Sequence, residues 1–267
     1  MNGGVRINAQ AGDGRTRFVE LHATAPLGVK VTGAHEAYLI GTAAAPLDGD
    51  VVTIDIEVGD DTQLTLGTVA ATMAWPARGD LGPSVMIVRA TIGERALLRW
   101  LPEQIVPVQG CRHLLRTEVT LASVTSSVVW REEVVLGRAG ERPGALDAEM
   151  RVVRAGRPVF HQQLVLDGSE AQAHRAPSLL AGARAVGSLL VAGPGVPEHC
   201  AHVATPQLRG AVLELEAGGR VASATAASAS ALRTWLEARQ LGLTPVRGGT
   251  DDPTGPSASP PKELLPR

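Results

Sequence analysis

The stretch of residues 97–142 decides the fold. It reads LLRWLPEQI at 97–105, HLLRTEVTL at 113–121 and VTSSVVWREEVVLGR at 124–138. Trp100 and Trp130 each close an apolar run, and carboxylates follow both of them. Short apolar runs that are rich in Val and Leu and bounded by turns are typical of buried strands. The stretch therefore predicts paired strands with acidic ends.

The same strand–turn–strand pattern recurs along the chain. Residues 51–58 alternate between apolar and polar side chains, and this period of two predicts a half-buried strand. Turns follow at Gly59, Gly93, Ala122 and Gly156, spaced by 34, 29 and 34 residues. A nearly constant period predicts stacked β layers that resemble a β-helix. A sandwich of unrelated hairpins is the alternative, and the period alone does not exclude it.

The whole chain is predicted to be mainly β, with about two helices, one of them near the C-terminus. Ser228 or Ser230 is suited to cap that helix. Residues 1–17 are Gly-rich and polar and are expected to be flexible, and residues 18–243 are expected to form a single β-rich domain. Residues 244–267 are rich in Pro, Gly and Ser without periodicity, which predicts a disordered tail.

Composition favours an ordinary soluble protein. The net charge of -2 gives no general attraction to nucleic acid or to an anionic membrane. No apolar run reaches the roughly 18 residues of a transmembrane helix, and the N-terminus lacks the apolar segment of a signal peptide. Two cysteines do not make a disulfide framework. These features predict a cytoplasmic location.

The sequence contains no recognisable catalytic motif: nucleophile elbow, phosphate-binding loop, dinucleotide fingerprint and zinc-protease helix are all missing. One local cluster, residues 198–202, combines thiol and imidazole. In an extended segment Cys200 and His202 would share a face, which makes them candidate ligands for zinc, copper or nickel. One strand rarely completes a metal site, so the alternative is an exposed polar strand.

Five carboxylates lie beside turns or at the edges of apolar runs: Asp50, Glu103, Glu132, Glu133 and Glu141. Carboxylates near burial usually pair with an Arg or accept from a backbone N–H, which is a structural role. The functional alternative is a polar passage or partner surface that accepts a divalent cation transiently.

Four short motifs in the same order and spacing resemble the UreD family of urease accessory proteins, also called UreH. They are Gly49-Asp50 before the alternating strand, Trp100-Leu101-Pro102-Glu103-Gln104, Glu132 followed by Leu136-Gly137-Arg138, and Gly156-Arg157-Pro158. The resemblance covers about residues 20–240 and implies structural roles for Gly49, Trp100, Leu101, Pro102 and Gly137. Gln162 stands where some members of the family carry a carboxylate.

The resemblance implies a helix-like stack of strands and a non-enzymatic role. Members bind apo-urease, recruit the accessory proteins UreF and UreG, and offer a route for nickel to the urease active site. Asp50 and Glu132 are expected to line or support that route, Arg138 to fix a carboxylate nearby, and Glu141 to take the family's acidic position after it. No cofactor is expected to be permanently bound, and nickel only transiently. A two-to-two or larger hetero-complex through UreF is expected.

Two other classes of function remain open on the residues alone. The first is a β-rich binding module for an unrelated partner. The second is an enzyme of unrecognised type whose strand-end carboxylates are catalytic. The order of the Asp50, Trp100 and Glu132 motifs favours the urease accessory role over both.

Overall fold

The computed structural model describes residues 1–77, 79, 81–167, 176, 180–196, 200–216 and 218–240. The first strands are β1 (Asn2–Gly12), β2 (Arg15–Thr24), β3 (Leu27–Gly33), β4 (Glu36–Gly41), β5 (Val51–Val58), β6 (Gln63–Thr68), β7 (Thr72–Ala74), β8 (Ser84–Ile92) and β9 (Leu97–Leu101). They are followed by β10 (Ile105–Pro107), β11 (Arg112–Leu121), β12 (Ser127–Val135), β13 (Ala145–Arg154), β14 (Arg157–Leu166), β15 (Ala185–Ala192), β16 (Ala201–Ala204), β17 (Leu208–Leu215), β18 (Gly219–Ala226) and helix α1 (Ala229–Glu237).

The strands form two facing sheets. The first sheet has the order β14-β13-β11-β8-β5-β1-β2, and the second has the order β16-β17-β18-β15-β12-β9-β6-β4-β3, with β7 and β10 beside this path. In the first sheet the strands from β13 to β1 run parallel, and the edge strands β14 and β2 pair antiparallel. In the second sheet β12, β9, β6 and β4 run parallel, whereas β3 and the strands from β15 to β16 pair antiparallel. From β5 to β13 the chain alternates between the sheets, so successive strand–turn–strand units stack as coils of a β-solenoid. The prediction of stacked layers is confirmed.

Strand register explains the period in the sequence. Val85 on β8 lies opposite Val51 on β5, 34 residues earlier, and His113 on β11 lies opposite Ser84, 29 residues earlier. The next coil repeats this relation, because Ala145 lies opposite Arg112. Each repeat in the sequence is therefore one coil of the solenoid.

The tight turns between the sheets also stack on one another. Asp61 and Arg95 occupy equivalent positions in successive turns with φ of 55° and 52°. Arg95 Nε and Nη2 donate to the Asp61 carboxylate at 2.7 and 2.8 Å, and Asp60 Oδ1 accepts from the Glu94 backbone N at 2.7 Å. Position 93 has no room for a side chain, because a Cβ there would lie 2.7 Å from the Asp60 backbone N and 2.4 Å from Asp60 Oδ1.

Apolar side chains from both sheets fill the space between them. The predicted inner face of β5 is confirmed, since Val52, Ile54, Ile56 and Val58 are all buried. Trp100 and Trp130 lie opposite each other on β9 and β12, with ring centroids 5.4 Å apart. Removing this apolar surface from water supplies the main driving force for folding.

Helix α1 covers the outer face of the second sheet. Ser228 is its N-cap, as one of the two predicted positions, and its Oγ accepts from the Ala231 backbone N at 3.2 Å. Leu232 and Leu236 are fully buried beneath it, in a second apolar cluster with residues of β12, β15, β17 and β18. Among the described residues α1 is the only α-helix. It is not long and apolar enough to cross a membrane.

The prediction that residues 1–17 are flexible is wrong. β1 begins at Asn2 and lies between β2 and β5, and its Val5, Ile7 and Ala9 are buried. The Gly-rich composition serves close packing here, since a Cβ at Gly4 would lie 1.8 Å from the Thr53 carbonyl oxygen. The predicted domain end at residue 243 and the predicted tail, 244–267, lie outside the described residues.

Candidate functional site

Glu132 is the carboxylate that β12 directs into the space between the sheets. Neighbouring residues of a strand point to opposite faces, so Glu132 and Glu133 have different surroundings. Oε1 of Glu132 accepts from Thr117 Oγ1 at 2.7 Å and from the Trp130 indole Nε1 at 3.1 Å. Among the described residues no cationic side chain forms an ion pair with it. Burial raises the pKa of Glu132, and the two hydrogen bonds oppose this only in part.

Three cavities share lining residues with one another, and Glu132 stands at the junction of two of them. The central cavity, of about 50 Å³, is bounded by Trp100, Thr117 and Glu132, and Glu103 and Glu133 also border it. The Gln162 cavity, of about 30 Å³, shares Glu132 and Val134 with it. The Pro46 cavity, of about 300 Å³, shares with the central cavity Leu27, Leu39, Thr68, Thr72 and Met86.

The coil repeat places the lining residues in rows. Val88, Thr117 and Met150 lie opposite one another on β8, β11 and β13, and Gln162 lies opposite Met150 on β14. The row therefore runs along the solenoid axis and lines the central cavity and then the Gln162 cavity. Besides Glu132, the polar side chains of the Gln162 cavity are Gln162 and Ser188. A cation would meet one carboxylate and neutral oxygen ligands there.

Glu133 belongs to an ion cluster on the other side of β12. Its fully buried carboxylate accepts from Arg233 Nε at 2.8 and 3.0 Å, and Arg131 Nε lies 3.1 Å away. Arg233 also donates to Glu103 at 2.8 and 3.1 Å, and Arg131 pairs with Glu237 at 3.1 Å. These pairs join helix α1 to β12 and to the segment after β9. Glu103 and Glu133 thus take the structural role that is usual for carboxylates.

Opposing effects act on the two arginines of this cluster. Burial alone would lower the pKa of Arg233, but the hydrogen bonds to Glu103 and Glu133 raise it overall. Burial lowers the pKa of Arg131 despite the attraction of Glu133. Arg131 also donates to the carbonyl oxygens of Leu101 and Pro102, at 3.4 and 3.1 Å.

Two of the family-motif residues border the central cavity, and the others have structural roles elsewhere. Trp100 and Pro102 line it, while the Leu101 backbone receives Arg131. Gly49 has a φ of 85°, a left-handed conformation that favours glycine. Gly137 has a φ of 75°, and a Cβ there would lie 2.7 Å from the Arg142 carbonyl oxygen.

Asp50 is buried, but it borders none of the three cavities. Its carboxylate accepts from the Leu47 backbone N at 2.9 Å and from the Met1 ammonium. Pro46 belongs to the same loop and lines the cavity named after it. Asp50 therefore stabilises a loop at the cavity wall instead of offering an oxygen to the interior.

Arg138 and Glu141 lie together on the surface, away from the three cavities. Arg138 Nε donates to both oxygens of Glu141 at 2.9 Å, and its guanidinium lies 5.0 Å from the centre of the Trp75 ring. Hydrogen bonding to Arg138 lowers the pKa of Glu141. Arg138 thus pairs with Glu141, but this pair borders none of the three cavities, and a role of Arg138 beside the nickel route stays a prediction.

Cys200 and His202 are exposed on the edge of the second sheet, beside Ala201 and Val203, which pack inward. Their shared outer face agrees with the predicted period of two. The described residues contain no group of three or more His, Cys, Asp or Glu side chains that could hold a metal ion. Residues 198 and 199 of the cluster lie outside the described part of the chain.

A Ser–His pair bears on the enzyme alternative. Ser84 Oγ lies 2.8 Å from His113 Nδ1, which is the contact expected of an activated nucleophile. Both side chains are at most 1% exposed, however, and burial lowers the pKa of His113 to about 4. A substrate therefore has no access to this pair in the folded chain.

Sequence reasoning missed Thr117 and Arg233. Thr117 carries a detectable signal, because it is a polar residue between Leu115 and Val119 on the buried face of β11. Arg233 has no such signal in the sequence, because its partner Glu133 lies 100 residues earlier in the chain.

Comparisons with known proteins give one consistent result. A model of the family described as UreD urease accessory protein matches residues 1–254. The chain is 38% identical over 268 residues to a urease accessory protein UreD of Parafrankia sp. (strain EAN1pec), covering 91% of this chain and 87% of the relative. It is 41% identical over 197 residues to UreD 3 of Streptomyces griseus (71% and 76% covered) and 34% identical over 244 residues to UreD of Streptomyces coelicolor (88% and 95% covered).

Proposed function

The chain belongs to the UreD family of urease accessory proteins, and on this basis we propose that it acts in the maturation of urease as a nickel-delivery scaffold. In this role it binds apo-urease in the cytoplasm, recruits UreF and UreG into a two-to-two or larger complex, and conducts nickel through its interior. It performs no catalytic step itself. The single observation that supports conduction is the position of Glu132 between two adjoining cavities.

A conducting passage must bind its ion well enough for entry and weakly enough for exit. Three or four protein ligands, such as imidazole, thiolate or carboxylate groups, would hold nickel as a resident ion. Glu132 offers one carboxylate, and both of its hydrogen bonds go to Oε1, so Oε2 accepts none from the described residues. Thr117, Gln162 and Ser188 add only neutral oxygens. Weak, transient coordination is the consequence of this ligand set.

The ion cluster on the outer face of β12 keeps the other nearby carboxylates occupied. Arg233 neutralises Glu103 and Glu133 by direct hydrogen bonds, so neither is available as a second charged ligand. Glu132 is therefore the interior carboxylate on which transfer depends. Asp50 supports the wall of the Pro46 cavity, and the Arg138–Glu141 loop serves as a partner contact on the surface.

Co-expression with the urease subunits and the other accessory proteins tests the proposal through Glu132→Gln. Glutamine keeps the shape of the side chain and an acceptor for Thr117 and Trp130, but it removes the charge. We expect nickel content and urease activity to fall about tenfold or more, the scale on which changes at a metal site act. Co-purification with urease should be unchanged.

Glu118→Gln is the matched control, because Glu118 is an exposed carboxylate on the outer face of the first sheet. It should leave nickel loading at the level of the unaltered chain. Full nickel loading with Glu132→Gln would refute conduction past Glu132. Full loading in the absence of this chain would refute the role in maturation as well.

A further inference from the structure

Two methionine thioethers lie on either side of Glu132 in the cavity series. Met86 lines both the Pro46 cavity and the central cavity, and Met150 lines the Gln162 cavity. Glu132 borders the central and Gln162 cavities, so each methionine shares one cavity with the carboxylate. Met73, by contrast, lines none of these three cavities.

Both methionines lie on the inner face of the first sheet, on strands next to β11, which carries Thr117. Met150 lies opposite Thr117, the residue that donates to Glu132. Met86 lies opposite Leu115, two residues before Thr117 on the same face of β11. Neighbouring strands are about 4.8 Å apart, and two residues along a strand span about 6.6 Å. Methionine is unbranched and has three rotatable bonds, so its sulfur can turn along the face of the sheet towards Thr117.

We propose that Met86 and Met150 act as soft relay ligands before and after Glu132, so that the passage selects a borderline cation over Mg²⁺ and Ca²⁺. This inference rests on the proposed function. Each thioether donates a sulfur lone pair to the passing cation in place of one water ligand. When the cation moves on, a water molecule takes this position again, and no oxidation state changes. Thioether sulfur binds soft and borderline ions, whereas Mg²⁺ and Ca²⁺ require oxygen ligands.

Neutral ligands suit a relay. A thioether adds no charge to the interior, so it does not deepen the binding well at Glu132, in line with the need for exit. Selection is needed because one carboxylate with neutral oxygens would by itself suit the hard cations. The competing explanation is that both methionines only fill irregular gaps in the core, a common use of this side chain. Leucine fills such gaps nearly as well at a cost below about 1.5 kcal/mol.

The test compares Met86→Leu, Met150→Leu and the double variant with Met73→Leu as the matched control. The first readout is the methyl NMR spectrum of the full chain carrying ¹³C-labelled methionine methyl groups, titrated with NiCl₂. Paramagnetic nickel should broaden the Met86 and Met150 signals and leave the Met73 signal sharp. A tenfold excess of MgCl₂ should not reverse the broadening. Broadening that is equal at Met73, or absent from Met86 and Met150, would overturn the proposal.

The second readout is the nickel concentration that gives half-maximal urease activation in co-expression, measured with Mg²⁺ present. The double variant should need about tenfold more nickel, the scale of a lost metal-site contact, and Met73→Leu should need no more than the unaltered chain. If Glu132→Gln impairs loading while the double variant does not, the relay is refuted and the proposed function stands. If neither impairs loading, the proposed function fails.

Discussion

Replacing Arg233 with methionine should destabilise the fold strongly, because it breaks a buried ion cluster. Arg233 holds Glu133, whose side chain is 0% exposed, with two hydrogen bonds, and it holds Glu103 with two more. Methionine keeps much of the aliphatic stem but removes the guanidinium. Among the described residues, Glu133 would then keep Arg131 as its cationic neighbour, with Nε 3.1 Å away.

The magnitude follows from the position of the charge that is left behind. Removing one partner of a buried ion pair typically costs about 3–5 kcal/mol, because the other charge stays buried without compensation. Arg131 remains near Glu133, so we expect the lower end, about 3 kcal/mol of the free energy of unfolding. The loss should fall mainly on the contact of helix α1 with β12.

Urea unfolding of the full chain, followed by circular dichroism and tryptophan fluorescence, measures this change. Arg89→Met is the matched control, since Arg89 also bridges two carboxylates, Asp55 at 3.5 Å and Glu118 at 3.3 Å, but is half exposed. Exposed pairs contribute about 0–1 kcal/mol each. Equal losses in the two variants would refute the argument from burial.

A double-mutant cycle isolates the pair itself. Glu133→Gln removes the charge that Arg233 compensates, so Arg233→Met should cost less in that background than alone. A coupling energy above about 1 kcal/mol is expected for such a contact. Additive losses would mean that Arg233 stabilises the helix through packing and not through the buried carboxylate.

Three further predictions concern pH, a turn and the two thiols. Burial lowers the pKa of His113 from 6.5 to about 4, so the unfolded chain takes up the proton first as the pH falls. The free energy of unfolding should drop between these pH values by up to about 3 kcal/mol, and a His113→Asn variant should lose much of this slope in urea titrations at several pH values. Gly137→Ala should lower the melting temperature more than Gly140→Ala. Both glycines have a positive φ. A Cβ at Gly137 would meet backbone atoms, however, whereas nothing lies within 4 Å of a Cβ at Gly140. Cys200 is exposed and should react quickly with a disulfide reagent in the native protein. Cys111 is buried and its pKa is raised to about 12, so it should react only after unfolding. Fast reaction of both thiols would contradict this burial.

The stacked fold could be predicted because the coil repeat leaves a local record. Alternation in residues 51–58 marks the inner face of one strand, and the turns at Gly59 and Gly93 recur at the interval by which β5 and β8 are offset in register. The N-terminal strand could not be predicted in this way. Its glycines allow β1 to approach other strands closely, as Gly4 approaches Thr53. These partners are distant in sequence, so the local pattern does not reveal them.

The candidate site was predictable only in part. Glu132 could be singled out as an acidic position at a strand end, and so could Glu103 and Glu133. Nothing in the residues distinguished their environments, because the difference depends on the face of β12 and on the elements packed against it. Thr117 approaches Glu132 from the opposite sheet, while Arg233 approaches Glu133 from the C-terminal helix.

The sequence by itself determined the β class, the coil repeat, the cap of the last helix and the family motifs, because each depends on periodicity or on neighbours within a few residues. Only the tertiary structure decided which carboxylate faces the interior, which are neutralised by arginine, and that Met86 and Met150 lie on either side of Glu132. Those relations join residues that are tens of residues apart in the chain. They arise when the sheets close on each other, since burial and pairing are properties of the packed molecule and not of any segment.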